Sequence, residues 1–186
     1  MHYDLIYFKA RRIYITLFFL LCVPFVHAQD GVFTLTDTSF EVGDSCYIYP
    51  DYSLHKSLLY YLPKLEVLCD SIRTFLENNP KVVIQISNHT DHRDNLAKND
   101  TLCIRRLIQI QTTIESKNTI QEGRIILRPM GEREPFWVTQ DIHNVYTFLP
   151  VGQQLTVDFI DSIKDKRNKE IAHDLNRRTI LTIISK

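Results

Sequence analysis

The side chains best suited to chemistry lie together in one short polar loop. His89, Asp91 and His92 follow a run of valine and isoleucine residues that predicts a buried strand, Lys81 to Ser87. Imidazole and carboxylate groups at this density can hold a metal ion, work as general acid and base, or bind a charged ligand. The loop is therefore the first candidate for a functional site.

A metal site and a hydrolytic site both fit the sequence poorly. Adjacent residues of an extended chain point to opposite sides, so Asp91 and His92 do not easily share one ion. A hydrolase with Asp91 as base and His89 as acid rests on residue type alone, since the sequence has neither a Gly-x-Ser-x-Gly elbow nor an activated cysteine. We therefore interpret the segment as a recognition loop that needs no cofactor and catalyses no reaction.

The loop is one part of a longer ordered pattern. Asn99, Leu102 and Arg106 follow Asp91 at eight, eleven and fifteen residues. Further along the chain come Gly131-Glu132-Arg133-Glu134-Pro135 and then Asn176-Arg177-Arg178, and upstream a helical segment closes on Asn79-Pro80. This order resembles OmpA-like domains, a family that includes peptidoglycan-binding parts of outer-membrane proteins, the lipoprotein Pal and the flagellar stator protein MotB. The resemblance spans roughly Phe40 to Lys186.

The resemblance implies a fold and a ligand. The fold is an α/β (α+β) βαβαβ sandwich with helices packed on one mixed sheet. The ligand is peptidoglycan, bound through the diaminopimelate of its stem peptide, with site residues Thr90, Asp91, Asn99, Arg106 and Arg177. Several departures from the family pattern, such as Asp94 and Pro129 in place of glycines, leave these residues unchanged.

The chemistry of diaminopimelate suits two of these side chains. Its free end carries an ammonium and a carboxylate on one carbon, so a receptor needs one anion and one bidentate cation. Asp91 can accept from the ammonium, and the planar guanidinium of Arg106, which we expect about one turn into a helix, matches the carboxylate. A pair that only ties loop to helix is the alternative.

The other candidates have alternatives of their own. Asn99 is equally interpretable as a helix N-cap, and Thr90 as a contributor of backbone groups. Of the two adjacent arginines, Arg177 is expected to face the site while Arg178 is solvated. His143 and His173 are expected at the surface.

Hydrophobic periodicity places these residues on alternating helices and strands. Beyond the strand before the loop, we predict the following elements: a strand at 46–49, a helix from 65 that ends before Pro80, a loop at 88–100, a helix through 103–114, a strand at 123–128, a long loop at 136–154, a helix at 155–163 and a last strand at 179–185. Because the family pattern resumes at Asn176, we expect residues 136–170 to be an insertion that packs on the domain edge.

The amino terminus predicts export. Basic residues, an apolar run and Val26-His27-Ala28 form a secretory signal peptide over residues 1–28. Residues 29–186 are then one OmpA-like domain in the periplasm, at the cell wall or outer membrane. An outer-membrane lipoprotein anchored through Cys22 is the alternative, although Leu21 stands where a small residue is expected.

The charge of the chain limits which kinds of partner it can bind. Removing residues 1–28 takes away three of the 22 basic residues and one of the 22 acidic residues, which leaves a net charge near −2. This balance argues against nucleic acid as a partner.

Cys69 and Cys103 fall on apolar helical faces and are expected in the core, whereas Cys46 is not assigned. An envelope protein is a further expected partner, and an assembly protein that has lost wall binding is the alternative function.

Overall fold

A computed structural model describes residues 41–48, 62–118 and 120–186, without the side chains of 46–48 and 62–64. The predicted signal peptide, residues 1–28, and the alternative anchor Cys22 lie outside these ranges and stay predictions. Within the described ranges, no helix is both long enough and apolar enough to cross a membrane.

Within the described residues, four strands form one mixed sheet. They are β1 (Ser45–Ile48), β2 (Val83–His89), β3 (Ile125–Gly131) and β4 (Thr179–Ser185), in the spatial order β1-β4-β2-β3. β4 runs antiparallel to β1 and β2, whereas β2 and β3 are parallel. The α/β fold class, with helices on one mixed sheet, is confirmed. β3 extends past its predicted end through Pro129, which an edge strand tolerates because its outer N–H groups need no partner.

Two long helices build the main core against this sheet. They are α1 (Leu62–Asn78) and α2 (Leu96–Glu115), and α1 ends before Pro80 as predicted. Their buried apolar side chains form one cluster with those of β2 and β4: Leu68, Cys69, Ile72, Phe75, Leu76, Val82, Ile84, Ile86, Leu107, Ile110, Ile114, Ile120, Leu181 and Ile183.

The two cysteines whose side chains the structure describes are core residues, as the sequence predicts. Cys69 and Cys103 are fully buried and unpaired as thiols. Burial raises the pKa of Cys69 to about 12, and the Cys103 thiol donates to the carbonyl of Asn88 at 3.1 Å. Neither thiol has the ionised character that a reactive cysteine needs.

The start of α2 differs from the prediction. Asn95 is its N-cap and accepts from the backbone N–H of Lys98 at 3.0 Å, so the helix begins within the segment predicted as a loop. Asn99 is consequently not the cap but the fourth helical residue. Arg106 is the eleventh, nearly three turns from the start rather than about one.

Residues 136–176 form a second, smaller apolar cluster. Three short helices lie here: α3 (Gln140–Val145), within the predicted loop, α4 (Val157–Ser162), as predicted, and α5 (Lys166–Asn176), which was not predicted. The buried members of the cluster are Phe136, Val138, Ile142, Leu149, Leu155, Ile160, Ala172 and Leu175, with Ile180 of β4 packed against them. α5 starts inside the predicted insertion, residues 136–170. That this segment is an insertion into the domain stays a prediction.

Asn176, the last residue of α5, holds this segment together. Its side-chain oxygen accepts from the N–H of Phe136 at 2.8 Å, and its amide donates to the carbonyl of Leu155 at 2.9 Å. All three groups are buried, so a side chain satisfies backbone groups that no strand or helix pairs. The segment is thereby fixed to the residues that lead into β4.

Candidate functional site

Asp91 lies two residues beyond β2 and is the acidic centre of the site. It is buried, with 7% of its surface exposed. Its Oδ2 atom accepts from Arg177 Nη1 at 2.5 Å, from Arg93 Nε at 2.8 Å and lies 2.6 Å from Arg93 Nη2. Its Oδ1 atom accepts from the backbone N–H of Arg93 at 3.3 Å. The carboxylate is therefore held between two guanidinium groups.

The pairing of β2 with β4 brings Arg177 to this position. Arg177 caps the C-terminus of α5 directly before β4. At the same end of the sheet, Asn88 is opposite Thr179, and the N–H of His89 donates to the carbonyl of Arg178 at 2.8 Å. The residues that leave β2 and those that enter β4 are thus neighbours, although 86 residues separate Asp91 from Arg177.

Two further carboxylates extend the site into a charge cluster. Arg177 Nη2 donates to Glu170 at 2.9 Å and also pairs with Asp174, both on α5. Arg93 Nη1 donates to the other oxygen of Glu170 at 2.9 Å. We call Asp91, Arg93, Glu170, Asp174 and Arg177 the charge cluster; it carries three negative and two positive groups. Charges of both signs at this spacing suit a ligand that is itself zwitterionic.

Two histidines border the charge cluster. His173 Nδ1 lies 3.9 Å from Asp91 Oδ2, and its ring centroid is 5.0 Å from that of His92. His173 is buried, so its predicted surface position is wrong. Burial, followed by the positive charge of Arg93, lowers the pKa of His173. The neutral imidazole therefore adds no third cation at neutral pH.

Thr90 and Asn99 fix the loop that carries Asp91. The N–H of Thr90 donates to the carbonyl of Gly131 at 2.8 Å. The buried amide of Asn99 donates to the carbonyl of Asp91 at 3.0 Å and to Glu132 at 2.5 Å. Asn99 therefore joins the loop, α2 and the Gly-Glu turn, which is a positioning role and not the N-cap role that the sequence also allowed.

The glycine of that turn is required by its surroundings. Gly131 has φ +60°, and a Cβ atom there would lie 2.7 Å from Asp100 Oδ1. Asp100 in turn accepts from Arg133 Nη1 and Nη2 at 2.5 and 2.7 Å. The Gly-Glu-Arg-Glu-Pro motif is thus a tight turn fastened to the first turns of α2.

The structure joins three of the five predicted site residues directly. Asp91 contacts Arg177 and Asn99, and Thr90 precedes Asp91 in the same buried loop. Arg106 is half-buried on the face of α2 that carries Cys103. Burial raises the pKa of the Cys103 thiol, and the positive charge of Arg106 opposes that rise.

Sequence reasoning missed three charged residues of the charge cluster and misplaced a fourth charged residue, Arg178. The sequence did not predict Arg93, Glu170 and Asp174 as site residues. The available signal for Arg93 was its place two residues after an aspartate, where an Asx-type turn forms. Arg178, expected in solvent, is 5% exposed. It donates to the carbonyl of Glu134 at 2.9 Å, and its guanidinium carbon lies 5.6 Å from the ring centroid of Phe136.

His89 does not fit the role of a general acid. It is buried, and its Nε2 atom lies 3.3 Å from Ser87 Oγ. Burial, with the positive charges of Arg178 and Arg128, lowers the pKa of His89 to about 2. A histidine that stays neutral throughout the physiological range lacks the acidic imidazolium proton that a general acid donates.

A metal site also lacks its ligands in the part of the chain that the structure describes. No three histidine, cysteine, aspartate or glutamate side chains there converge on one point. His89 lies beside Ser87, whereas Asp91 is taken up by Arg93 and Arg177. The arrangement is chemically that of an ion-pair site.

The similarity of this chain to known proteins is low. No family model matches it, and no curated protein matches it. Among solved structures, the peptidoglycan-associated lipoprotein from Burkholderia pseudomallei is similar at 15% sequence identity and a TM-score of 0.46, over 74% of this chain and 88% of that one.

Proposed function

We propose that this chain is a non-catalytic protein of the OmpA-like family that binds peptidoglycan and tethers an envelope component to the cell wall. The ordered sequence motifs support the proposal. The structural observation that supports it best is the position of Asp91, a fully paired carboxylate held at the end of β2 among charges of both signs. An ammonium group on a ligand can bind such a carboxylate by displacing one of the groups that now contact it.

The proposed ligand is the free end of diaminopimelate in the stem peptide. Asp91 receives its ammonium group, and the guanidinium of Arg106 receives its carboxylate. Arg177 keeps the Asp91 carboxylate oriented, since its buried guanidinium lies 2.5 Å from that carboxylate. Thr90 and Asn99 hold the loop in place through their bonds to Gly131, Asp91 and Glu132.

The proposed location is the periplasm, beside the cell wall and the outer membrane. Export through a signal peptide at residues 1–28 is part of this proposal, and a lipid anchor on Cys22 is its alternative. A second envelope protein that shares the attachment is the expected partner.

A second candidate is an envelope assembly protein that has kept the fold and lost wall binding. One observation favours it: Asp91 Oδ2 is already contacted by three nitrogen atoms of two arginines. A purely structural tie between β2 and β4 has the same geometry.

Sedimentation with purified sacculi separates the two candidates. Asp91→Asn and Arg106→Ala are each expected to weaken binding about tenfold or more, since a charge-assisted hydrogen bond contributes roughly 1.5–3 kcal/mol. The double variant should lose less than the two single losses together, because groups that share a ligand are coupled. Arg105→Ala, which removes an exposed neighbouring charge on α2, is the matched control. Variants that bind sacculi like the wild type yet unfold at a lower urea concentration would favour the second candidate, the assembly protein.

A further inference from the structure

We propose that Arg93 is an internal cation that shields Asp91 in the unliganded protein and gives way to the ammonium group of a ligand. The shielding stands on the geometry alone, whereas the identity of the ligand rests on the proposed function. Arg93 thereby becomes a residue that sets affinity at this site without belonging to the ligand-binding pair.

The two arginines on Asp91 differ in exposure. The Arg177 side chain is 9% exposed, and that of Arg93 is 40% exposed. Arg177 is therefore enclosed by the protein, while Arg93 approaches the same oxygen atom from the solvent side. A ligand that arrives from solvent meets Arg93 first, and only Arg93 can leave without opening the core.

A second ion pair holds the Arg93 guanidinium when it leaves Asp91. Its Nη1 atom lies 2.9 Å from Glu170, whose side chain is 44% exposed. When its bonds to Asp91 break, the guanidinium keeps this second carboxylate, and no charge is left unpaired. The pair that breaks has one exposed partner, Arg93 at 40%, and one buried partner, Asp91 at 9%, so the exchange needs an incoming cation to contact the buried carboxylate.

Charge balance makes the shield selective. With Arg93 in place the charge cluster has three carboxylates and two guanidinium groups, and an incoming ammonium restores the positive charge that Asp91 loses when Arg93 withdraws. A ligand without a cationic group offers no such replacement. The site is expected to admit amines and to reject plain carboxylates.

Carbodiimide coupling of a small amine to carboxylates, located by peptide mass mapping, tests the shield directly on the purified protein. Arg93→Gln should raise coupling at Asp91 about threefold or more over wild type, because the cationic reagent then reaches an uncovered oxygen. Arg105→Gln should leave it unchanged, and coupling at the exposed Asp158 provides the internal reference. Equal coupling at Asp91 in wild type and Arg93→Gln would overturn the inference.

Sacculus binding by the same proteins separates this inference from the proposed function. Arg93→Gln should bind about threefold more tightly, about 0.7 kcal/mol at 1.4 kcal/mol per factor of ten. Weaker binding would make Arg93 a ligand contact and overturn its role as a displaced shield. If Arg93→Gln raises coupling at Asp91 but neither the wild type nor the variant binds sacculi, the shielding role of Arg93 stands and the proposed function is refuted.

Discussion

Asp91 and Arg177 form a buried ion pair across the ends of β2 and β4, with Nη1 2.5 Å from Oδ2 and both side chains 9% exposed. The pair fastens the loop after β2 to the junction of α5 and β4. A guanidinium at this distance also offsets part of the cost of burying the carboxylate. The pair therefore ties the two strand ends together and, under the proposed function, also orients the carboxylate for a ligand.

Removing Arg177 should destabilise the fold. Arg177→Ala leaves Asp91 buried with only Arg93 beside it, and a broken buried pair typically costs about 3–5 kcal/mol. We expect the free energy of unfolding to fall by roughly 3 kcal/mol in urea titrations. Lys98→Ala, which removes an exposed lysine 3.6 Å from Asp94, is the control and should change it by less than about 1 kcal/mol. Equal small losses in the two variants would show that the Asp91–Arg177 pair is not a structural tie.

The stability of the protein should fall in mild acid because of His89. Its pKa in the folded state is about 2, against 6.5 ordinarily, so below pH 6.5 the unfolded chain binds a proton that the folded chain does not. Above pH 6.5 the full contribution is present, and each pH unit below it removes up to about 1.4 kcal/mol. Urea titrations from pH 7.5 to 4.5 measure this slope. His89→Gln should have the shallower slope, and parallel slopes would contradict the shift.

Asn176 should be required for the packing of residues 136–176. Asn176→Ala leaves the N–H of Phe136 and the carbonyl of Leu155 buried without their partner. We expect a loss of roughly 2–4 kcal/mol in the free energy of unfolding, since each unsatisfied buried group costs about 1–3 kcal/mol. Asn144→Ala, which alters an exposed asparagine on α3, should have little effect. A loss no greater than that of the control would show that water replaces the side chain.

Several elements follow directly from the sequence. Runs of β-branched residues locate β2 and β4, Pro80 ends α1, and the buried thiols of Cys69 and Cys103 follow from their positions on apolar helical faces. Each of these signals is local, and each acts through the residues next to it in the chain.

The remaining features depend on residues distant in sequence. α5 carries mainly polar residues with few apolar ones among them, and its position depends on Phe136 and Leu155. Asn95 and Asn99 are equivalent as cap residues by type, and only tertiary contacts give Asn99 its role with Glu132. Arg93 was missed because nothing local shows that Glu170 lies near.

Export is tested by the mature amino terminus. The basic, apolar and small-residue order of residues 1–28 predicts cleavage before Gln29. Mass spectrometry of the protein from its native host should find a chain that starts at Gln29. A diacylated Cys22 at the amino terminus would instead identify a lipoprotein.

The most direct test of the central claim is the affinity of the wild-type protein for two kinds of sacculi. One kind contains diaminopimelate in the stem peptide, and the other contains lysine, which keeps the side-chain ammonium and lacks the carboxylate beside it. We predict binding to the first and at least about tenfold weaker binding to the second, because Arg106 then loses its partner. Equal affinity for both, or no affinity for either, would contradict recognition of diaminopimelate by this protein.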